Sequence, residues 1–189
     1  MTLFTHSLST ETELRMLQPR HARELFGVVE ANRAHLREWL PWLDRSREEK
    51  DSAAFIAASL RAFAETGAFV CGIWHQGALS GVIGYNQVDG TNRMATIGYW
   101  LAKSAQGQGL ATSCCRALVD HAFAEYRLNR LVISVATGNR RSQAIPERLG
   151  FVREGVLREA EWLYDRFVDH TVNALLARDA GPRAASPCS

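Results

Sequence analysis

The chain has 189 residues, of which 47% are hydrophobic and 22% are charged, values typical of one globular domain with a substantial core. Its net charge of +2 is too small to indicate direct binding to nucleic acid or to a membrane surface. No apolar run approaches the roughly 18 residues of a membrane-spanning helix and no signal peptide is evident, so we expect a cytoplasmic protein.

The N-terminal part predicts one strand and two helices. Residues 13–18 alternate weakly between apolar and polar types and end before Pro19, which favours a first strand. Residues 20–33 carry apolar side chains at helical spacing. A second helix is predicted over residues 53–65, with Asp51-Ser52 as its N-cap.

An aromatic elbow lies between these two helices. Pro41 must end or kink any helix that reaches it, and Trp39 and Trp42 stand on either side of it. On the residues alone, the two tryptophans are interpreted as side chains that fill the core.

Three antiparallel strands are predicted in the middle of the chain. Residues 68–74 and 78–85 are joined by a turn at Gln76-Gly77, and Asp89-Gly90 marks the turn before a strand over 93–102. A long helix is then predicted from Leu110 to about Tyr126.

The C-terminal third completes the sheet. Residues 131–135 are β-branched and follow a crossover helix, so this strand should lie parallel to the strand over 93–102. A short helix over 140–149 and a hairpin of residues 151–158 and 167–177 follow. We expect residues 1–179 to form a single domain and residues 180–189 to form a loose tail.

The four cysteines show no metal-binding spacing. Cys71, Cys114, Cys115 and Cys188 include no C-x-x-C pair, and no histidines lie near the adjacent pair in the sequence pattern of zinc sites. We expect reduced thiols and no metal site.

A glycine-rich loop connects the strand over 93–102 to the long helix, and its six residues are Gln106, Gly107, Gln108, Gly109, Leu110 and Ala111. Unpaired N–H groups at a helix N-terminus, approached through glycines, favour binding of phosphate groups. A dinucleotide fingerprint would need glycine where Thr112 stands, and no Gly-Lys-Ser/Thr of a Walker loop occurs in the chain.

The spacing Gln106-x-x-Gly109-x-Ala111 resembles the pyrophosphate-binding motif of the GCN5-related N-acetyltransferases, or GNAT proteins. The resemblance extends over about residues 10–178 and is similar to the RimJ/RimL branch of that family. The flanking segments that carry it are Asn32-x-x-x-Leu36-x-x-Trp39-Leu40-Pro41-Trp42, Gly98-Tyr99-Trp100-Leu101, Asn139-x-x-Ser142 and Pro146-Glu147-Arg148-Leu149-Gly150-Phe151.

The resemblance implies an α+β GNAT fold. This is a mixed, mostly antiparallel sheet of about seven strands, splayed between strands 4 and 5 and flanked by helices. It implies acetyl-CoA as cofactor, bound by Trp100, Leu101, Gln106, Gly107, Gln108, Gly109, Leu110, Ala111, Asn139 and Ser142. It also implies an acceptor cleft with Asn32, Trp39 and Trp42 in its wall.

Acetyl transfer from a thioester to an amine requires a neutral amine, a stabilised oxyanion and a proton for the leaving thiolate. An α-amine has a pKa near 8 and a lysine near 10.4, so a base is expected at the cleft. Glu161 matches the catalytic glutamate of RimL-type enzymes, although an exposed glutamate in a hairpin is also an ordinary solvated charge. His170 and Asp169 are the alternatives.

The residues that follow the splayed strand also have two interpretations. The resemblance places Ser142 near the thiol, with a role in its reprotonation, and Asn139 at a pantetheine amide. Both residue types are also common helix caps, so a purely structural role stays open for each.

The sequence therefore predicts an acetyl-CoA-dependent N-acetyltransferase that works by direct attack in a ternary complex. The resemblance implies the N-terminal α-amine of a ribosomal protein, serine or alanine, as acceptor. A small amine such as a polyamine, amino acid or antibiotic is the alternative acceptor, and a non-catalytic CoA-binding protein is the alternative class. RimL-like proteins often pair, so we also expect a homodimer.

Overall fold

The computed structural model describes residues 4–181, which form an eight-stranded sheet with helices on both faces. Most of the expected tail, residues 182–189, lies outside the described residues. The strands are β1 (Thr5–Ser7), β2 (Thr12–Met16), β3 (Val70–His75), β4 (Ala78–Asp89), β5 (Met94–Leu101), β6 (Arg130–Ala136), β7 (Val152–Leu163) and β8 (Arg166–Leu176). The α-helices are α1 (Ala22–Ala31), α2 (Arg33–Arg37), α3 (Glu49–Thr66), α4 (Leu110–Ala124) and α5 (Arg140–Arg148).

The sheet confirms the expected fold class. Its strand order is β1-β2-β3-β4-β5-β6-β8-β7, and among the described strands the β5–β6 pair is parallel while the other neighbours are antiparallel. The count is eight rather than about seven. The additional strand is β1, which pairs with β2 through exposed residues and has no apolar pattern of its own.

The expected splay lies between β5 and β6. Their pairing covers three positions, ending at Thr96 opposite Val132, and both strands then continue without pairing to each other. Strands that separate in this way leave backbone N–H and C=O groups available to a ligand.

Two apolar cores lie on opposite faces of the sheet. Helices α4 and α5 cover one face, where Cys71, Ile83, Leu118 and Ile133 are fully or almost fully buried. Helices α1 to α3 cover part of the other face, where Leu36 and other side chains pack against β3 and β4. Among residues 4–181, no helix is both long and apolar enough to cross a membrane.

The predicted start of α3 was wrong. The helix begins at Glu49 with Glu48 as its N-cap, and Asp51 is the third helical residue. The Asp51 carboxylate accepts hydrogen bonds from the backbone N–H groups of Arg47 (2.8 Å) and Glu48 (2.9 Å), which form part of a capping box. These bonds lower the pKa of Asp51. A carboxylate in the first turn resembles an N-cap in sequence, which explains the error.

Candidate active site

A cleft of about 810 Å³ opens where β5 and β6 separate. Its lining includes residues from both faces of the sheet, such as Trp100 on one face and Tyr99 on the other, because the gap between the strands passes through the sheet. The connection between α2 and α3 forms one wall, and the hairpin of β7 and β8 contributes to another. The cleft therefore joins the expected cofactor wedge to the expected acceptor site.

Glu161 projects into this cleft from β7. Its carboxylate Oε2 lies 3.4 Å from Nε2 of His170 on β8, and the exposed fractions of the two side chains are 27% and 19%. Both residues line the cleft. Glu161 therefore has the accessible, acceptor-only carboxylate that a general base needs, and it is not a fully solvated hairpin charge.

A bulge in β7 sets the position of Glu161. Leu157 pairs with His170 and Glu161 pairs with Val168, so four positions on β7 correspond to two on β8. Within this bulge Glu159 has φ of 49°, in the left-handed region. Its N–H donates to Oδ1 of Asp169 at 2.8 Å. Asp169, the other alternative base, thus has a backbone partner in the bulge.

Ser142 and Asn139 lie at the start of α5 and both line the cleft. The Asn139 side chain accepts a hydrogen bond from the Ser142 N–H at 3.1 Å, so Asn139 is the N-cap of the helix. The Ser142 carbonyl accepts a hydrogen bond from the Tyr99 hydroxyl at 3.1 Å. Pro146, four residues later, has no N–H to offer that carbonyl.

The part-buried hydroxyl of Tyr99 stays protonated. Burial raises the pKa of Tyr99, and its proton is donated to the Ser142 carbonyl. This contact joins β5 to α5 across the splay. The capping interpretation of Asn139 is therefore observed, while the Ser142 hydroxyl stays available to a ligand in the cleft.

The glycine loop has the backbone that a phosphate cradle requires. Gly107 and Gly109 have φ of 77° and 76°, and a Cβ atom at either position would meet nothing within 4 Å. The first backbone hydrogen bond at the start of α4 runs from the Ser113 N–H to the Gly109 carbonyl, so the preceding amides of Leu110 and Ala111 have no intrahelical acceptor. Open space, free amides and the positive end of a helix dipole fit a diphosphate group.

The two glutamines of the loop are held by side chains from distant elements. The Gln106 amide bonds to His35 Nε2 on α2 (2.8 Å) and accepts from Arg141 on α5 (2.9 Å). Gln108 donates to the Ser104 carbonyl (3.0 Å), and its amide oxygen lies 3.1 Å from His75 Nε2. These contacts fix the loop in front of α4.

The tryptophans of the elbow form a wall of the cleft. Trp39, Trp42 and Trp100 all line it, and the rings of Trp42 and Trp100 lie 6.3 Å apart with an angle of 51°. Trp39 covers the backbone at Gly138, just before Asn139. Trp39 and Trp42 are half-buried and line the cleft, and Trp42 also packs against the core under α1 to α3, so the core-filling interpretation holds in part for Trp42.

A contact at the hairpin turn fixes this wall. The Tyr164 hydroxyl, between β7 and β8, donates to the Leu40 carbonyl, and the Arg37 guanidinium lies 3.7 Å from the centre of the Tyr164 ring. The hairpin that carries Glu161 is thereby attached to the aromatic wall.

Eight residues expected at the site are not part of the cleft lining: Asn32, Leu101 and the six residues of the glycine loop, 106–111. The Asn32 amide donates to the Val28 carbonyl and accepts from the Lys103 N–H at 2.9 Å, so it joins α1 to the loop before Gln106. Leu101 packs its side chain against the small core around Ala105 and Leu110. Neither side chain belongs to the lining of the cleft.

Sequence reasoning missed three polar residues on the cleft floor. Asn86 on β4, Thr96 on β5 and Ser134 on β6 all line it. Thr96 and Ser134 occupy ordinary alternating strand positions, which gave them no distinguishing signal. Asn86 stands at a bulge in β4 that no local sequence feature indicates.

The described cysteines are unsuited to nucleophilic chemistry. Cys71, Cys114 and Cys115 are buried and unpaired. Burial raises the pKa of Cys114 to about 12 and raises those of Cys71 and Cys115 as well. Within residues 4–181, no three His, Cys, Asp or Glu side chains are grouped so as to hold a metal ion.

Comparison with known proteins gives a consistent result. Residues 12–152 match the family model described as the acetyltransferase (GNAT) domain. The chain is 31% identical over 165 residues to the ribosomal-protein-serine acetyltransferase of Escherichia coli (strain K12), an alignment that covers 87% of this chain and 92% of that protein.

Two solved structures share the fold over nearly their full length. One is RimL, a ribosomal L7/L12 alpha-N-protein acetyltransferase in complex with coenzyme A, with a TM-score of 0.88, 29% identity and coverage of 92% of this chain and 98% of that one. The other is the microcin C7 self-immunity acetyltransferase MccE in complex with acetyl-CoA and AMP, with a TM-score of 0.85, 28% identity and coverage of 89% and 94%.

Proposed function

The chain belongs to the GNAT family of acetyltransferases and is an acetyl-CoA-dependent N-acetyltransferase, and on that premise we propose that its acceptor is the N-terminal α-amine of a ribosomal protein. The observation that carries the proposal is the position of Glu161 in a cleft between aromatic side chains and the splayed strands. The name of the serine acetyltransferase supports a ribosomal protein that begins with serine, and the name of the RimL structure supports the α-amine as the acceptor group.

Glu161 acts as the general base in this proposal. Its carboxylate takes a proton from the acceptor's ammonium group, directly or through one water, and leaves the amine neutral for attack. An α-amine has a pKa near 8, so at neutral pH most of it must lose a proton before reaction. His170 lies 3.4 Å from Glu161 and restricts where the carboxylate can point.

Ser142 relays a proton to the leaving thiolate: its hydroxyl donates to the sulfur and takes up the proton that the attacking nitrogen loses as the amide forms. Its backbone is held on one side by the Asn139 cap and on the other by Tyr99, so the hydroxyl has a defined position in the cleft. Acetyl-CoA supplies the thioester and a thiol leaving group. The amine attacks directly in a ternary complex, because the buried Cys114 and Cys115 do not offer a nucleophile.

The cofactor residues have two kinds of role in this proposal. The backbone of residues 106–111 binds the diphosphate. The β5 backbone at Trp100 and Leu101, which has no strand partner on its β6 side, binds the pantetheine arm together with Asn139. A ribosomal-protein acceptor and acetyl-CoA would meet in the cytoplasm. We therefore propose that the enzyme acts there.

A small amine is the second candidate acceptor. MccE, which resembles this chain over most of its length, is named as a self-immunity enzyme and was solved with acetyl-CoA and AMP. Trp42 and Trp100 offer aromatic surface in the cleft against which a flat ring can stack.

We also propose a homodimer. The aromatic segment from Trp39 to Trp42 lines the cleft, so the apolar surface for pairing comes from the terminal hairpin. Trp162 and Phe167 are 53% and 55% exposed, and their rings stack edge to face at 4.8 Å. Exposed aromatic pairs of this kind commonly mark an interface between subunits.

The proposal is tested with a panel of acceptors. Purified protein is mixed with acetyl-CoA and either peptides that begin with serine or alanine or small amines such as polyamines, amino acids and aminonucleosides. Thiol release reports turnover, and mass spectrometry locates the acetyl group. We expect acetylation of the peptide α-amine, with none on the same peptide carrying a formylated N-terminus. Turnover with small amines and no peptide would instead support the second candidate.

A further inference from the structure

Asn86 occupies a bulge in β4 that the catalytic proposal does not use. Tyr85 pairs with Ile97 and Gln87 pairs with Thr96, so Asn86 is an extra residue opposite a continuous stretch of β5. Extra residues at bulges frequently redirect a side chain near an active site. The Asn86 side chain lines the cleft, on the sheet face opposite to that of Tyr85.

The amide of Asn86 lies directly over Gly98. A Cβ atom at Gly98 would overlap the Asn86 side chain, so glycine at this position leaves room for the amide. Gly98 is the second residue after Thr96, where the pairing of β5 with β6 ends. The Asn86 amide is therefore next to the opening of the splay, on the face that carries Trp100.

This amide has unused hydrogen-bonding capacity. Asn86 is an exposed residue of the cleft lining, and among the residues that the structure describes no hydrogen bond of its side chain is found. A primary amide offers two N–H donors and one carbonyl acceptor. A carboxylate such as Glu161 offers acceptors alone, which suits an ammonium group but not a carbonyl.

We infer that Asn86 binds the first peptide bond of the acceptor, while Glu161 receives its amine. The side-chain amide can donate to the peptide carbonyl and accept from the peptide N–H. A simple amine has neither group. Asn86 is then a specificity-determining residue that selects a peptide N-terminus over a small amine, an inference that rests on the proposed peptide acceptor.

A pair of matched peptides tests this inference. One begins with serine and has normal peptide bonds, and the other has its first peptide bond replaced by a trans-alkene, which keeps the shape but removes both hydrogen-bonding groups. With Asn86→Ala we expect kcat/KM for the normal peptide to fall by about 3- to 10-fold, the effect of one or two hydrogen bonds. For the wild-type enzyme, kcat/KM should be lower by a similar factor with the alkene peptide than with the normal peptide.

The decisive measurement combines Asn86→Ala with the alkene peptide. If the two changes remove one interaction, Asn86→Ala should not lower kcat/KM further when the alkene peptide is the acceptor. Acetyl-CoA affinity, measured by calorimetry, should be unchanged. Gln87→Ala is the control, because Gln87 is exposed beside the bulge and does not line the cleft.

Each outcome decides. If Asn86→Ala lowers kcat/KM equally with both peptides, Asn86 has a structural role. If it does not lower kcat/KM with the normal peptide, Asn86 has no role in binding. Either result overturns the inference and leaves the proposed peptide acetylation intact. If no peptide is acetylated and small amines are, both this inference and the proposed acceptor are wrong.

Discussion

Asp169 accepts a hydrogen bond from the backbone N–H of Glu159 at 2.8 Å, across the bulge that precedes Glu161. The bulge contains two extra residues, which keeps Glu161 on the sheet face of His170 because side chains alternate with period two. With regular pairing Glu161 would lie opposite Arg166, about 7 Å farther along the hairpin. The Asp169 contact thus helps to bring the carboxylate to the cleft.

Substitution of Asp169 should separate a positioning role from a role as base. Asp169→Ala removes the acceptor for the Glu159 N–H, so we expect kcat to fall about tenfold as the bulge loosens, with acetyl-CoA affinity unchanged. Asp169→Asn retains a carbonyl oxygen at this position and should stay near wild type. A large loss in Asp169→Asn as well would mean that Asp169 itself handles a proton.

Glu161→Gln should impair chemistry without impairing cofactor binding. Glutamine keeps the shape of the side chain but cannot take a proton, so kcat should fall by roughly 10²–10⁴. The loss should shrink as pH rises, because the acceptor amine then becomes neutral in solution. Steady-state kinetics between pH 7 and pH 9.5 measure this, and normal turnover at pH 7 would transfer the role to His170 or a bound water.

Gly109→Val should weaken acetyl-CoA binding. Gly109 has φ of 76° and faces open space in the loop, so a β-branched side chain both strains the backbone and enters the space for the diphosphate. We expect Kd to rise by about tenfold or more, which is about 1.4 kcal/mol. Calorimetry with acetyl-CoA gives the value.

Gly77→Val is the matched control for Gly109→Val. Gly77 has φ of 79° and equally open surroundings, but it lies in the turn between β3 and β4. Both variants should lose similar stability, of about 1–2 kcal/mol. Equal acetyl-CoA affinity in the two variants would remove the loop from the cofactor site.

Protonation of His121 should lower stability in mild acid. Burial among aromatic rings, including Phe69 and Tyr126, lowers the pKa of His121 below its usual value near 6.5. The charge of Glu125 raises this pKa and that of His6 lowers it, both by less than burial does. The unfolded chain therefore binds this proton at a higher pH than the folded protein. The stability contributed by neutral His121 is present above about pH 6.5 and is lost as the pH falls below it.

Urea titrations measure this effect. Between pH 7.5 and pH 5.5, the free energy of unfolding of the wild type should decrease more than that of His121→Phe, which keeps a buried ring. The variant should retain some pH dependence, because burial also lowers the pKa of His21. Identical slopes for the two proteins would contradict the prediction.

The terminal hairpin should mediate pairing. We expect light scattering at micromolar concentration to give twice the chain mass of 21.0 kDa, and the double substitution of Trp162→Ser and Phe167→Ser to give a single chain mass. Phe55→Ser, on the cleft side of α3 and 44% exposed, should leave the wild-type mass unchanged. A mass near 21 kDa for the wild type would show that the exposed aromatics serve another purpose.

Much of the sheet could be predicted because its strands follow simple patterns. The apolar residues of β3 and β6 and the turn at Gln76-Gly77 indicated the hairpin and the parallel pair, which the structure confirms. β1 has no such pattern: its three residues are exposed, and they become a strand through pairing with β2.

The parts of the site that sequence could not predict depend on register. The bulges at Asn86 and before Glu161 extend β4 to Asp89 and β7 to Leu163, beyond the expected ends at 85 and 158. A bulge changes which residues face each other across strands, and this depends on the partner strand as much as on local sequence. Asn32 is the opposite case. It belongs to a motif that predicted a site residue, but its side chain links α1 to the loop before Gln106.

The contact of Tyr164 with Leu40 joins the C-terminal hairpin to the N-terminal part of the chain at the cleft. During synthesis, the cofactor loop and Ser142 emerge from the ribosome before the hairpin of β7 and β8 does. β8 must then pair along β6, and Tyr164 must reach the carbonyl of Leu40, before Glu161 faces the splay. The complete cleft is thus acquired late in synthesis, and a chain ending near residue 150 would carry the glycine-rich loop without Glu161.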